Sequence, residues 1–315
     1  EQDMHGVHMI GHGGDTGWFH SNLALVPADS LGIFVSFNTA SGGEISFGPF
    51  LDRFVEHYWP VPATAPGGGD ASADLSPYVG EYEFDRMSYT TAEKAMGLFS
   101  KITVAPDPDI PGDLVVSSAL GKDYFAPAGK HLFHQVEGPW KVAFRMDGDR
   151  AGHFFISGVP FMAAERVPWY RGDTLSRVLL GIGAFLFLTA LLAAPARWLL
   201  RKRFSGIEPL TGKARTARRV ELLASALGLA SLVVFGMAFG DVQNLLKGEG
   251  GLFRAALTLT TLTAAATLPL IWYAIDVWRH RAGDLWARIH YTAVTLGAVG
   301  FVWVLYQFNL LGWRL

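Results

Sequence analysis

One short stretch near the start of the chain combines a histidine, several glycines and a carboxylate, which are residue types that can take part in catalysis or in ligand binding. It reads Ile10-Gly11-His12-Gly13-Gly14-Asp15-Thr16-Gly17. An imidazole can donate or accept a hydrogen bond at a reacting group, and glycines let a ligand approach the main chain closely. This stretch is therefore the first candidate for a catalytic or binding site.

The residues that follow predict a β-hairpin and a helix that would position this stretch. Residues 23–26 and 31–37 are apolar and strand-like, and the turn-forming sequence Pro27-Ala28-Asp29-Ser30 joins them. A helix that ends at Pro60 is expected next, because apolar residues recur there with helical spacing. These residues are Phe47, Phe50, Leu51, Phe54, Val55 and Tyr58.

In this arrangement residues 1–60 resemble the last part of the serine β-lactamase, penicillin-binding protein and esterase superfamily, which has an α/β fold. The third active-site motif of that superfamily is Lys or His, any residue, then Gly, on an inner strand beside the nucleophile. His12-Gly13-Gly14 fits this pattern. Residues 32–38 then resemble the next strand of the same sheet, and the predicted helix resembles the terminal helix that packs across it.

The resemblance implies roles for five residues. It makes His12 a hydrogen-bonding partner of the catalytic hydroxyls or of the substrate, not the nucleophile. Gly13 and Gly14 would let the substrate lie along the strand, and the main chain at Asp15 would supply an oxyanion-hole N–H. We therefore expect His12, Gly14 and Asp15 to be catalytic, and Gly13 and Thr16 to bind substrate. An Asp at this position departs from the usual Ser, Thr or Ala, because its carboxylate repels an oxyanion unless it points away or pairs with a cation.

The other two motifs of the superfamily are missing from the sequence. No serine is followed three residues later by lysine, and no Tyr-x-Asn occurs. We therefore expect the nucleophile upstream of Glu1, in a longer membrane-anchored serine hydrolase of which this chain is the C-terminal portion and which is inactive by itself. Since the His form of the third motif accompanies esterases and peptidases, the expected substrates are small peptides or esters. The alternative is a non-catalytic, membrane-tethered binding or sensing module with a degenerate hydrolase-like region.

Residue types elsewhere give little support for other kinds of site. The sequence has no cysteine, which excludes disulfides and Cys-ligated metals. Glycines interrupt the histidines of the first twenty residues, and no acid completes a ligand set at suitable spacing. We therefore expect no metal and no other cofactor at His5, His8, His12 and His20. The formal net charge is −2, and we expect no nucleic-acid partner.

Composition divides the rest of the chain into three further parts. Residues 61–74 are rich in Pro, Gly and Ala and predict a linker. Residues 75–168 contain short alternating segments separated by turn residues, which predict a small antiparallel β-barrel or sandwich. Residues 169–315 predict a four-helix transmembrane region. The expected fold class is thus multidomain: part of an α/β domain, a β-rich accessory domain and a membrane region.

Four hydrophobic segments in the last part are long enough to cross the ~30 Å hydrocarbon core of a bilayer. They cover residues 175–192, 220–239, 255–275 and 289–308. Arg and Lys are concentrated between the first and second and between the third and fourth segments, which the positive-inside rule places in the cytoplasm. We expect a multi-pass protein of the bacterial inner membrane, with the lipid bilayer as a partner and residues 1–170 outside the cytoplasm. The acids Glu221, Asp241 and Asp276 lie at segment ends, where they are expected to reach water, so an anchor is favoured over a transporter.

Overall fold

A computed structural model of the chain describes residues 1–16, 18–39, 41, 49–60, 74–98, 100–119, 121–138, 140–159, 161–204, 210–240 and 250–314. These residues form two compact units. The first, Glu1–Arg86 with Ser100–Val167, contains every strand that the structure describes. The second, Met87–Phe99 with Pro168–Leu315, contains the long helices. Residues 61–73 of the predicted linker lie outside the described residues, and so does Asp241.

The first unit begins with an antiparallel sheet of four strands in the order β1-β2-β3-β4. The two-residue turn between β1 and β2 places His5 and Gly6 at positive φ, 51° and 83°, as a type I′ hairpin requires. The predicted hairpin is present as β3 and β4. The strands are β1 Gln2–Met4, β2 Val7–Asp15, β3 His20–Val26 and β4 Leu31–Phe37.

Helix α1, Pro49–Tyr58, covers one face of this sheet. Leu51 and Val55 of the helix are buried in one core with alternate residues of three strands, which are Val7, Met9, Ala24, Val26 and Ile33. His5 Nε2 lies 2.7 Å from Asp52 Oδ1, which links the first turn to the helix. Because side chains alternate along a strand, the intervening residues lie on the opposite face, which we call the front face.

The rest of the first unit is a closed barrel of eight antiparallel strands. Each strand pairs with its neighbours in sequence, and the last strand pairs with the first. Of the two predicted architectures, the barrel is the correct one. The strands are β5 Gly80–Phe84, β6 Ile102–Pro106, β7 Leu114–Ser118, β8 Gly121–Gly129, β9 Leu132–Gln135, β10 Lys141–Asp147, β11 Arg150–Ile156 and β12 Ala163–Arg166.

Side chains fill the interior of the barrel. Tyr82, Leu114, Phe125 and Phe154 are completely buried there. The guanidinium of Arg166 donates to the main-chain oxygens of Ala151, Val79 and Pro77 at 2.6, 2.6 and 2.7 Å. It also donates to the Tyr82 hydroxyl at 3.0 Å and lies 5.2 Å from the centre of its ring. The donor groups of the half-buried Arg166 guanidinium therefore have hydrogen-bond acceptors inside the unit.

The second unit contains four helices long and apolar enough to cross a membrane by length and composition. They coincide with the four predicted segments, so the prediction of four spans is confirmed at this level. Phe187, Leu257, Leu270 and Phe301 are fully buried in the unit. The helices are α2 Asp173–Arg203, α3 Gly212–Gly240, α4 Gly251–Arg279 and α5 Leu285–Gln307.

Residues Met87–Phe99 follow β5 and precede β6 in sequence but belong to the helical unit. The segment includes a 3-10 helix, Ala92–Leu98. Asn309 Nδ2 donates to the main-chain oxygens of Tyr89 and Thr91 at 2.8 and 3.2 Å, and the N–H of Ala92 donates to Arg314 O at 2.6 Å. The segment is thus tied to the residues that follow α5, a grouping that no pattern in residues 75–168 indicates.

Candidate functional site

Strand β2 places His12 on the front face of the sheet. The antiparallel register sets His12 opposite Leu23 of β3, and Leu23 opposite Phe34 of β4. The His12 side chain is exposed, and it makes no hydrogen bond within the part of the chain that the structure describes. Its imidazole is therefore available to a ligand that reaches this face.

The front face is apolar as well as exposed. Exposed fractions of its side chains are 41% for Ile10, 39% for Leu23, 42% for Leu25 and 69% for Phe34. A contiguous exposed apolar patch of this kind usually marks a surface that meets another group. The sheet face that carries His12 therefore has the character of a contact surface.

A polar pair lies next to the patch. The register sets Gly14 opposite Ser21, and Ser21 opposite Ser36. The two hydroxyl oxygens are 2.8 Å apart. Sequence reasoning missed Ser21, Leu23, Phe34 and Ser36 as neighbours of the motif. The signal that identifies them is the alternation of β3 and β4, combined with the register of the hairpin that joins them.

Strand β2 has a free edge beside the motif. Strand β1 pairs with β2 only at Val7, His8 and Met9, whereas β3 pairs with β2 over residues 10–15 on the other side. Among the described strands, none pairs with the remaining edge of residues 10–15. An extended peptide can add to such an edge through main-chain hydrogen bonds.

Gly11 and Gly14 lack side chains for different reasons. A Cβ atom at Gly11 would lie 2.4 Å from the main-chain oxygen of Leu23, so the close approach of β3 requires glycine there. A Cβ atom at Gly14 would meet no atom within 4 Å. Packing therefore does not require glycine at position 14, and the space beside it is open to a ligand.

The carboxylate of Asp15 is directed away from His12. Asp15 and His12 are three positions apart on one strand, so their side chains lie on opposite faces. Asp15 Oδ1 pairs with Nδ1 of His20, which stands opposite Asp15 on β3 and is buried. The Asp15 side chain therefore points away from the face that carries His12 and has a partner on β3.

The remaining two predicted residues lie at the end of the same strand. Gly13 stands opposite Asn22 of β3. Thr16 Oγ1 accepts from the N–H of Phe19 at 2.9 Å and donates to Phe19 O at 3.1 Å, which closes the β2–β3 turn. The structure therefore uses the Thr16 hydroxyl in the turn, beside the predicted site.

The four N-terminal histidines do not converge on a shared site. His8 Nδ1 lies 3.3 Å from Asp3, while His5 and His20 pair with Asp52 and Asp15. His5, Asp52 and Glu56 do bring one possible ligand atom each to within 4.8 Å of one another, between the first turn and α1. Sequence reasoning did not combine them, because the turn and the helix are far apart along the chain.

Comparisons with known proteins do not assign the chain to a family. No family model and no curated protein matches it. Two solved structures, described as SurE and as SurE with D-Leu, match 50% of this chain at 18% identity, with TM-scores of 0.27 and 0.30. The chain spans about a third of their length, 34% and 35%. Likeness at this level carries no argument about the fold or the activity of this chain.

Proposed function

We propose that residues 1–60 form one wall of the active site of a membrane-anchored serine hydrolase of the β-lactamase superfamily, acting on small peptides or esters. The observation that carries the proposal is the free edge of β2 at His12-Gly13-Gly14. The exposed apolar front face beside it supports the same reading. Helix α1 covers the other face, as the terminal helix does in the superfamily that the sequence resembles.

In the proposed reaction, an extended substrate adds to the free edge of β2 and places its acyl carbonyl near the N–H of Asp15. A base takes the proton of a serine hydroxyl as its oxygen attacks the carbonyl carbon, the C=O electrons move onto the carbonyl oxygen, and the N–H of Asp15 stabilises the resulting oxyanion. When the C=O bond forms again, the bond to the amine or alcohol breaks, and this leaving group takes the proton from the base. His12 hydrogen-bonds the reacting group from the front face. Gly14 leaves room for the substrate because no side chain occupies the space beside it.

The proposal needs a serine, with a lysine and a tyrosine as bases, on an element that packs against the front face. No serine of this sequence stands in the Ser-x-x-Lys pattern, so the chain supplies the third wall of the site and is inactive by itself. The exposed side chains of the front face offer the surface on which that element would pack. They are Ile10, Leu23, Leu25 and Phe34.

The four long helices give the chain the character of a multi-pass membrane protein. We propose the bacterial cytoplasmic membrane as its location, with residues 1–170 outside the cytoplasm, because Arg and Lys are concentrated between the first and second and between the third and fourth hydrophobic segments. In this orientation the helices anchor the site on the side where peptides derived from the cell wall occur. The role of the barrel in this arrangement is that of an accessory domain.

A second function is a binding or sensing module without catalysis. The absence of Ser-x-x-Lys and Tyr-x-Asn from the sequence favours it. In that case the free edge of β2 would bind an extended peptide and leave it intact. Reaction with a serine-directed probe distinguishes the two functions.

The test compares His12→Ala with His8→Ala in the protein isolated from its native membrane. His8 lies on the same strand and the same face as His12, so it is a matched control. With a fluorophosphonate probe, we expect labelling of one serine outside this sequence. We expect His12→Ala to lower the labelling rate about 30- to 1,000-fold, since one hydrogen bond to a reacting group contributes ~2–4 kcal/mol in the transition state. The rate of the His8→Ala protein and both thermal midpoints should stay unchanged.

An equal labelling rate in folded His12→Ala protein would contradict the proposed role of His12. Labelling of a serine within this sequence would show that the active site lies elsewhere. Tight binding of a peptide without any labelling would support the binding module instead.

A further inference from the structure

The helical unit buries a charged group in its interior. Glu221 of α3 is only 2% exposed, although its position at the end of a predicted segment led us to expect contact with water. Arg218 donates to Glu221 Oε2 and, at 2.7 Å, to the main-chain oxygen of Ala190 on α2. Because an ionisable group buried among membrane-spanning helices is unfavourable, it is by default a functional-site candidate.

The second carboxylate oxygen, Glu221 Oε1, is buried and has no hydrogen-bond partner among the described residues. Nδ1 of His290 on α5 lies 3.3 Å from it, a contact distance without a hydrogen bond. A neutral histidine carries hydrogen on only one ring nitrogen. The position of that hydrogen therefore decides whether this contact attracts or repels.

Thr189 of α2 determines where the hydrogen is. Its hydroxyl donates its single hydrogen to Leu186 O at 2.7 Å. With the hydroxyl hydrogen placed there, Thr189 Oγ1 accepts from Nε2 of His290, which is 3.1 Å away. Nε2 therefore carries a hydrogen, and in a neutral ring Nδ1 would turn a lone pair toward the lone pairs of Glu221 Oε1.

We propose that Glu221 and His290 form a binding site for one additional proton, held between Oε1 and Nδ1. The proton is covalently bonded to one of these atoms and hydrogen-bonded to the other, and no other bond changes. It converts a contact between lone pairs into a hydrogen bond that joins α3 to α5. Since Arg218 and Thr189 connect the same pair to α2, the occupied site links three helices. This adds a proton-dependent connection to the anchoring role of the helices.

None of the described groups around the pair donates a hydrogen bond to Glu221 Oε1. Arg218 is the charged neighbour on α3, and Tyr291 of α5 lies within electrostatic reach of Glu221, Arg218 and the Tyr273 hydroxyl of α4. Helix α2 contributes the uncharged Thr189 hydroxyl and Ala190 carbonyl. The hydroxyls of Tyr291 and Ser225 are also buried without a partner in the described part of the chain.

The proton can be observed directly by NMR of the whole chain in lipid nanodiscs, with 15N in histidine and 13C in glutamate. His290→Gln and Glu221→Gln assign the two signals. The measurement is made about 1.5 pH units above the ordinary histidine value of ~6.5. We expect either hydrogen on both nitrogens of His290 or a protonated carboxyl at Glu221. A ring with hydrogen on only one nitrogen, either Nε2 or Nδ1, beside an ionised Glu221 would overturn the proposal.

Thr189→Val and Thr189→Ser form a matched pair for the same measurement. Valine removes the acceptor for Nε2, so a neutral ring can move its hydrogen to Nδ1 and donate to Glu221, and we expect the additional proton to be lost. Serine keeps the acceptor, and we expect the proton to remain. Circular dichroism checks that both variants keep their helices. A folded Thr189→Val protein that still holds the additional proton would overturn the proposal.

Discussion

The barrel and the four-stranded sheet are both antiparallel, but the barrel is closed and the sheet is open. In the barrel every strand has a partner on both sides, because β12 closes on β5. In the sheet, no described strand pairs with the outer edge of β2 at the motif. The front face carries exposed apolar side chains, of which Phe34 is 69% exposed. The barrel pairs the edges of all its strands and buries aromatic rings in its interior. The described sheet leaves one strand edge and one apolar face exposed.

The difference is the basis for the proposed binding surface of this unit. An eight-stranded barrel is just wide enough for side chains to fill it, and here aromatic rings do so, with Phe144 and Phe154 centred 5.5 Å apart. The free edge and open face of the sheet offer main-chain groups, apolar surface and the His12 imidazole together.

The largest effect is expected from Arg166→Met, which removes the hydrogen bonds that Arg166 donates inside the barrel. Methionine is unbranched like the aliphatic part of arginine but has no N–H groups. The main-chain oxygens of Val79 and Ala151 therefore lose the donor that they have now. An unpaired buried polar group costs ~1–3 kcal/mol, so we expect the barrel to lose about 3 kcal/mol of stability. Hydrogen exchange followed by mass spectrometry should show faster exchange in barrel peptides and no change in peptides of β1–β4.

Arg145→Met is the control for that experiment. Arg145 lies on the outside of β10, where its Nη2 contacts the ring of His153. Exposed substitutions of this kind change stability by about 0.5 kcal/mol or less. Equal exchange in the two variants would show that Arg166 does not support the closed barrel.

A smaller effect, in the sheet, is expected from Gly11→Ala compared with Gly14→Ala. The methyl group at position 11 meets the Leu23 oxygen, and forcing such a contact typically costs ~1–3 kcal/mol. We therefore expect faster hydrogen exchange in β2 and β3 for Gly11→Ala, and little change for Gly14→Ala. Under the proposed function, Gly14→Ala should instead slow labelling by the fluorophosphonate probe. Equal exchange in both variants would show that the two glycines are not distinguished by packing.

Local patterns predicted most of the elements, whereas contacts between distant residues were not predictable. Hydropathy located the four long helices, and alternation with turn residues indicated the β-rich region. Closure of the barrel depends on pairs such as Phe84 with Ala164, and the partners of Arg166 include Pro77, 89 residues away. The hydrophobic periodicity of a sequence does not predict which distant residues pair in this way.

The same limit applies to the two candidate sites. The strand that carries His12 was predicted from residues 10–37, but the direction of the Asp15 side chain depends on its pairing with His20 across a turn. Glu221 was expected to reach water because it lies near a segment end. It is buried in the helical unit, where Arg218 of its own helix pairs with it and His290 of α5 lies beside it, and only packing of the helices reveals this.

The smallest effect is expected from Asp113→Asn, which tests whether the closed barrel tolerates a charge at its rim. Asp113 precedes β7 and is 8% exposed. Burial of its carboxyl, and then the negative charge of Asp107, raise the pKa of Asp113 above the ordinary aspartate value. The folded state therefore holds this proton more tightly than the unfolded state, so stability from Asp113 is present in acid and is lost as the pH rises through the folded pKa. Asparagine cannot ionise, and we expect the variant barrel to unfold at slightly higher denaturant concentration at neutral pH. The difference should vanish below the ordinary aspartate value of ~3.9. Near-ultraviolet circular dichroism of the buried tyrosines follows the unfolding.

Asp109→Asn, at an exposed position of the same hairpin, should show no such difference. A variant that is less stable than the natural protein at neutral pH would mean that the Asp113 carboxylate supports the barrel instead of opposing it.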